Sequence, residues 1–454
     1  MLEKAAGMVW GWPLMILLIG TGAWLTFLLR GIQMRLLPHA LWLAFVKRRE
    51  PEGQGDISHF QALMTAMAAT VGTGNIVGVA TAIAIGGPGA VFWLWLTGLV
   101  GMATKYAEAL LAVKFRITAS NGTMAGGPMY YIEKGLGIKW LAVIFATFTV
   151  LASFGTGNLA QANAVADGMR ASFGLNPSHV GILLTVLSGM VLIFGIKGIA
   201  RVTSVVVPVM IIFYLTIALG ALLTHARAIP SIIALIMRHA FTPTAPVGGF
   251  AGAAVAATMR VGLARGLFSN ESGLGSAPIA AAAAHTKHPV TQALVSMTQT
   301  FIDALVVCTA TAFVILASGA WTLTAPDGAG LTGAALSATA LSSVYGAWGG
   351  QFASIALALF AWSTMIGWAY YGEKACQYLA GERIIPVYRG AFVAVVYFGC
   401  VMRLETCWTI ADIFNGLMAF PNLLALVCLS GIVVSETRDY LAVKAASAPY
   451  QSAV

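Results

Sequence analysis

The chain has 454 residues, of which 59% are hydrophobic and only 9% charged, with a mean hydropathy of +0.85 and a formal charge of +9. Soluble domains carry about 25% charged residues, so this chain cannot coat itself in water-facing charge, and lipid must cover most of its surface. The basic excess argues against a nucleic-acid partner, because it gathers in alternate loops rather than along one face.

Eleven apolar spans are predicted, at 8–29, 58–86, 88–115, 139–165, 179–196, 201–223, 246–284, 289–319, 350–380, 387–402 and 409–433. At ~1.5 Å of rise per helical residue, each crosses a bilayer or nearly does. The first follows Lys4, as a signal peptide would, but its apolar run is longer than a signal core and no small-residue cleavage site follows, so it reads as an uncleaved helix. The connector 31–57 carries a basic cluster and then Glu50, Pro51, Glu52, Gly53 and Gly55, and reads as a solvated cytoplasmic loop. Seventeen Lys and Arg fall on the side of this connector and five on the other, with Lys105, Arg260 and Arg265 inside spans. The positive-inside bias then predicts a multi-pass protein of the cell (inner) membrane, N-terminus outside and C-terminus cytoplasmic. Cys308, Cys376, Cys400, Cys407 and Cys428 show no C-x-x-C pairing and read as small buried hydrophobes.

Two spans are interrupted. The second, FQALMTAMAATVGTGNIVGVATAIAIGGPGA, has Val71-Gly72-Thr73-Gly74-Asn75 at its middle. Each glycine there costs a helix about 1 kcal/mol relative to alanine. The seventh, AATMRVGLARGLFSNESGLGSAPIAAAAA, carries four glycines with Arg, Ser, Asn and Glu between Gly262 and Gly275. Such stretches persist at membrane depth only where they line a cavity or pack in protein. After the first span the chain divides into five spans (58–223) and five more (246–433), and each half opens on a broken helix. Five is odd, so the halves run in opposite directions. Paired breaks in inverted halves point to a secondary transporter's binding site. Freed N–H groups bind an anion and freed carbonyls a cation. The N–H groups near Thr73 and Gly74 suit a carboxylate, and the carbonyls of Ala69 and Val71, with the Asn75 side-chain oxygen, suit a sodium ion.

The segments FQALMTAMAATVGTGNIVGVATAIAIGGPGAVFWLWLTGLVG (60–101), RGLFSNESGLGSAP (265–278) and FAWSTMIGWAYYGEKA (360–375) strongly resemble the alanine or glycine:cation symporter family, over nearly all of 58–433. One departure is Leu94, where the family pattern has Met. The resemblance implies an all-α polytopic membrane protein with a LeuT-like 5+5 inverted repeat and one extra N-terminal helix, in agreement with the span count. It also implies Na⁺ as the transported coupling ion, with no organic cofactor, and a small neutral amino acid such as alanine or glycine as substrate. The organisation expected is 1–57 for the extra helix and loop, 58–228 and 229–436 for the repeats, and 437–454 for a cytoplasmic tail. A monomer is expected.

By the same resemblance, Ser363 and Thr364 complete a sodium site with carbonyls of the second span, and Phe268 and Ser269 of the second break join Gly72, Thr73, Gly74 and Asn75 around the substrate. For a lone Ser or Thr, bonding to its own helix backbone is the commoner role. Trp368, four residues after Thr364, shares its helix face and could wall the pocket against large side chains, or simply pack. Asn158 and Gln161 lie at i, i+3 and could reach the carboxylate, or make ordinary interhelical bonds; Asn163 should face elsewhere. Lys105 and Glu108, also at i, i+3, should pair locally. Asp303, mid-span and on one face with Gln299, has three readings: cation ligand, protonatable group, or partner of Arg260 or Arg265. Glu271 should pair with a nearby cation. No H-E-x-x-H, G-x-S-x-G or phosphate loop occurs, so enzymatic or ATP-driven chemistry is not expected. The alternatives are proton-coupled transport of another small amino acid, or an amino acid sensor that does not transport.

Overall fold

The structure, a computed structural model, describes residues 2–50, 53–242, 251–324, 328, 330–402 and 405–451. Every predicted span carries helix: α1 (Trp12–Leu28), α2 (His59–Thr70) running on through a wide turn Gly74–Gly78 into α3 (Val79–Gly86), α4 (Ala90–Lys114), α5 (Lys139–Phe154) continued by α6 (Ala160–Phe173), α7 (Pro177–Leu192) and α8 (Gly195–Thr224). After a surface helix α9 (Ile229–Phe241) come α10 (Ala251–Asn270), the short α11 (Pro278–Ala281), α12 (Pro289–Thr300) continued by α13 (Cys308–Ser318), α14 (Gly333–Tyr345), α15 (Ala347–Ala380), α16 (Ile385–Val401), α17 (Glu405–Cys428) and α18 (Ser430–Gln451). Residues 246–250 of the seventh predicted span, Pro51 and Glu52 of the connector, Arg403 and the last three residues of the tail lie outside the described residues. Among the described residues, seven helices are long and apolar enough to cross a membrane, or nine if each of two bent pairs is one span.

Burial is arranged for lipid. On α8, Val205, Val209, Ile212 and Leu219 recur at helical spacing and are exposed, whereas Thr203, Val207, Met210 and Tyr214 on the other face are buried. Polar groups are drawn inward instead: Lys105 and Glu108 are 1% and 0% exposed. The helix α4 packs on α10 and α12, and α15 packs on α5, α6 and α14. Between these groups runs α2, which touches both α15 and α12. Cys308 and Cys400 are buried as expected, but Cys376 is half-buried and Cys428 exposed, and the Cys407 side chain lies outside the described residues.

The connector 31–57 is not the solvated loop that its charges suggested. Ile32, Ala40, Leu43 and Ala44 are buried, because its apolar residues recur at helical spacing between the basic ones. Its end forms a strap: Gln54 and Ile57 bridge to Thr286 and Ala284, and Arg116 donates to the carbonyls of Gln54, Ala282 and Ala284. Ser58 then caps α2 reciprocally with Gln61, fixing where the helix starts. Glu50 anchors the strap, accepting from the Thr286 hydroxyl at 3.3 Å and the Lys287 N–H at 3.1 Å, with His59 Nε2 at 3.4 Å. Partial burial pushes the Glu50 carboxyl up, but the His59 ring, the Lys287 N–H and Lys47 outweigh it and hold it down at about 2. A lowered carboxyl stabilises the fold fully above its ordinary value and ceases to do so as pH falls through the folded value. Thermal unfolding in detergent should therefore show Glu50→Gln less stable than the parent at pH 7, with the gap closing between about 4.5 and about 2. A gap that persists at the acid end would refute this role.

Candidate substrate and cation site

The first break is a true bend, with α2 and the stretch Gly74–Gly86 meeting at 51°. At the bend the Gly72 N–H, which would be orphaned, donates to Asn75 Oδ1 at 2.9 Å. The oxygen that the sequence reading offered to a sodium ion is thus engaged in holding the turn. The amide of Asn75 donates to Asp303 Oδ1 at 2.7 Å and lies 3.3 Å from Cys308 Sγ. From the other break, Ser269 Oγ donates to Asp303 Oδ2 at 3.0 Å. Asp303 therefore ties the two broken helices together, fully buried and with no ion-pair partner among the described residues. Arg260 and Arg265 do not reach it; they line a separate recess of about 220 Å³ with Asp412, Trp10 and Phe268.

The breaks also touch directly. A Cβ on Gly74 would lie 3.0 Å from Ser269 Cα and 3.4 Å from Phe268 Cδ1. Only glycine admits this approach.

On the other flank of α2, Ser363 Oγ and Thr364 Oγ1 point at one carbonyl, that of Ala68, at 3.3 and 3.1 Å. Both also bond Phe360 O on their own helix, at 2.8 and 3.0 Å, so the local-backbone role and the cross-helix role coexist. These four oxygens form a patch suited to a hard cation, which takes oxygen ligands. The sequence reading placed the carbonyls around Ala69 and Val71; the ones these two hydroxyls reach are those of Ala68 and Phe360, which it did not name. The Ala69 side chain packs against Gly367, where a Cβ would lie 2.8 Å from its own, and the Val71 N–H bonds Met67 O as α2 closes; neither contact occupies the carbonyl of its residue.

Thr73 Oγ1 is buried without a hydrogen-bond partner. So is Gln161 Oε1, on the side facing Gly72, while its amide donates to Thr156 O at 3.1 Å. Asn158 is turned away from the break, its amide donating to Phe392 O on α16 at 2.8 Å. Asn163 faces elsewhere, toward Met402 O. Trp368 is fully buried and stands against Gly157, where any Cβ would strike its ring. Its indole N–H donates to Glu271 Oε1 at 2.8 Å.

Glu271 sits in the left-handed region (φ 54°) where the second helix breaks, with Gly273 and Gly275 also at positive φ. Its other carboxylate oxygen accepts from Ser276, and Lys105 donates to its main-chain carbonyl at 3.1 Å. Lys105 pairs with Glu108 at 3.7 Å, as the spacing suggested. Glu108 does more: one of its oxygens accepts from the Gly273 and Gly275 N–H groups and from Asn422, at 3.0, 3.1 and 2.7 Å. Tyr131 donates to Asn422 in turn. A carboxylate on α4 thus satisfies the orphan donors of the second break, as any buried helix end requires.

Of the four wide π-type turns among the described residues, one lies in the connector at Leu43–Lys47 and three fall at Gly74–Gly78, Gly155–Leu159 and Phe301–Val307, on the segments that carry Asn75, Asn158 and Asp303. Such turns concentrate at functional sites. Among the described residues, no group of three or more His, Cys, Asp or Glu is placed to hold a metal.

A family model described as the sodium:alanine symporter family matches residues 1–452. The sodium/alanine symporter AgcS of Methanococcus maripaludis is 50% identical over 436 residues, covering 95% of this chain and 95% of that protein. A transporter of Haemophilus influenzae is 50% identical over 433 residues, covering 95% and 94%. The crystal structure of MhsT in complex with L-phenylalanine aligns with a TM-score of 0.56 at 13% identity, covering 84% of this chain and 98% of that one. The last match bears on fold alone, and that fold is LeuT-like.

Proposed function

We propose, from the premise that this chain belongs to the sodium:alanine symporter family, that it imports alanine or glycine together with Na⁺ by alternating access. Sodium-coupled amino acid symport is the activity of the family; the substrate, the sites and the mechanism are the proposal. The observation that carries it is the meeting of the two breaks at Asp303, Asn75 and Ser269, beside a hydroxyl pair on the Ala68 carbonyl.

The cation cargo has two places in this reading. One is the patch formed by Ala68 O, Phe360 O, Ser363 and Thr364. The other is Asp303, whose buried charge has no ion-pair partner and calls for a cation or a proton. The amino acid lies between them, its carboxylate at the freed N–H groups near Thr73 and Gly74. The buried and unpartnered oxygens of Thr73 and Gln161 are available to its ammonium. Trp368 and the close contact of Gly74 with Phe268 leave little width, which favours a methyl or hydrogen side chain over a large one.

Eleven spans in two inverted sets of five, with the division at 58–228 and 229–436, fit the paired breaks. The loop charges support an N-terminus outside and a C-terminal tail in the cytoplasm of a cell's inner membrane. We propose a monomer as the working unit, since both breaks and all the site groups come from one chain.

The test is labelled alanine uptake into proteoliposomes under an inward Na⁺ gradient, with K⁺ in its place as control. Uptake that needs Na⁺ and is competed by glycine is expected. Thr364→Ala removes one cation ligand and should raise the Na⁺ concentration for half-maximal uptake about tenfold or more, with alanine competition little changed. Asp303 also supports a second reading, proton coupling. Uptake driven by a proton gradient and indifferent to Na⁺ would favour it, and no uptake under either gradient by folded protein would reject both.

A further inference from the structure

Away from the breaks, a cavity of about 420 Å³ lies between the α7–α8 turn (Ile193 to Lys197), the loop residues Asn121 and Thr123, the end of α15 and the start of α16. Its two carboxylates are already engaged. Glu373 accepts from Arg389 Nε at 2.7 Å and from its terminal nitrogen at 3.1 Å. Glu382 accepts from the Asn121 N–H at 3.1 Å.

The cations are not so balanced. Lys374 is 3% exposed, yet its ammonium donates only to neutral groups, Thr123 Oγ1 at 3.1 Å and Gln377 Oε1 at 3.0 Å. That leaves one N–H of three without an acceptor. Lys197, exposed at the rim, has no ion-pair or hydrogen-bond partner among the described residues. The Tyr370 ring lies under the Lys374 ammonium at 5.7 Å, and its hydroxyl is buried without a partner.

Three groups lining one cavity thus have a donor to spare, and two of them are charged. A water could satisfy the hydroxyl, but the buried Lys374 ammonium has no carboxylate at ion-pair distance among the described residues, and its third N–H still wants an acceptor. The complement is a compact anion with several acceptor oxygens, which is the description of a phosphate. The rim says how it enters. Ile193 and Phe194 are 70% and 74% exposed, as apolar side chains are where they meet acyl chains.

We propose that this cavity binds the phosphate of an anionic phospholipid, with Lys374, Tyr370 and Lys197 as donors and Ile193 and Phe194 against its acyl chains. A basic pocket between helix ends on the side of the basic loops is where such headgroups are bound. Nothing in this assignment depends on the identity of the transported substrate.

The test is titration of the full chain in neutral detergent with dioctanoyl phosphatidylglycerol, followed by native mass spectrometry, on the parent and on Lys197→Gln, Tyr370→Phe and Lys139→Gln. Lys139 is an exposed lysine outside the cavity. Saturable binding is expected, weakened about fivefold by Lys197→Gln and measurably by Tyr370→Phe, but unchanged by Lys139→Gln. The variants' melting temperatures without lipid serve to show that each is folded. Lipid bound equally by all four proteins overturns the site. Displacement of the lipid by inorganic phosphate, with the same dependence on Lys197, overturns the lipid assignment and leaves a soluble phosphate as the ligand.

Discussion

Alanine at position 72 is expected to bring Na⁺-driven uptake to background in proteoliposomes, with the protein still inserted and folded. A Cβ at Gly72 would collide with Thr364 Oγ1 and lie 3.6 Å from Gln161 Oε1. The seam has no slack to absorb it, since Ala69 and Gly367 already stand in contact one turn away. Overpacking of this kind costs about 1–3 kcal/mol, and the cheapest relief is for Thr364 to leave the Ala68 carbonyl. That dismantles the oxygen patch proposed for the cation. The matched control is Gly78→Ala in the same broken span, where a Cβ meets nothing within 4 Å; it should transport as the parent does. Half or more of parental uptake by Gly72→Ala would show that the close approach is only packing.

The second large effect is expected from Asp303→Asn. The substitution keeps the volume and an oxygen for the Asn75 amide to bond, and Ser269 can rotate its hydroxyl to accept instead of donate. Most of the local bonding therefore survives, and what is lost is the charge. If that charge is what the cargo cation neutralises, uptake should fall at least about tenfold, the value of a one-step loss of about 1.4 kcal/mol, and the remainder should respond more weakly to the Na⁺ gradient. The parent's melting temperature should rise with Na⁺, because a ligand that binds only the folded state stabilises it, and the variant's should rise less, by what the hydroxyl patch alone retains. Asp303→Asn with parental Na⁺ dependence would remove Asp303 from the cation's path and leave the hydroxyl patch as its only place.

Much of this architecture could be read from residue types, and the reason is the solvent. In lipid every Gly-rich polar stretch inside an apolar span has to be explained, so Val71 to Asn75 and Gly262 to Gly275 stand out without a structure. The helical repeat puts Thr364 and Trp368 on one side of their helix; in the structure Thr364 reaches the Ala68 carbonyl and Trp368 reaches Gly157 and Glu271. Other features are invisible to that reasoning. The Ala68 carbonyl belongs to a residue whose side chain says nothing, and main-chain groups become ligands only when a bend frees them. The Glu108 bonds to Gly273 and Gly275 join positions far apart in sequence, and their spacing with Lys105 suggested only a local pair. Asn158 and Gln161 look equivalent at i, i+3, yet Asn158 lies within a wide turn and points at α16, whereas Gln161 lies just beyond it and faces the break. The strap was missed because charge density in the connector outweighed the apolar residues between the charges.

Those wide turns have a consequence for how this chain tolerates change in length. Each holds one residue more than an α-helical turn would, so the helix beyond it is rotated by about 100° relative to an unbroken continuation. Beyond the turn at Phe301–Val307, that rotation sets Tyr214 against Thr311 at 2.6 Å and Trp95 against Thr309 at 2.8 Å. Gln299 lies before the turn and keeps its bond to Thr70 whatever happens after it. A one-residue deletion within Phe301–Val307 would let the helix close up as an ordinary α-helix, swinging α13 off both partners while the half that precedes it stays in register. The same holds at Gly74–Gly78 and Gly155–Leu159. In these segments the count of residues is as constrained as Gly74, Gly157 and Asp303 themselves, because each turn fixes what those positions meet.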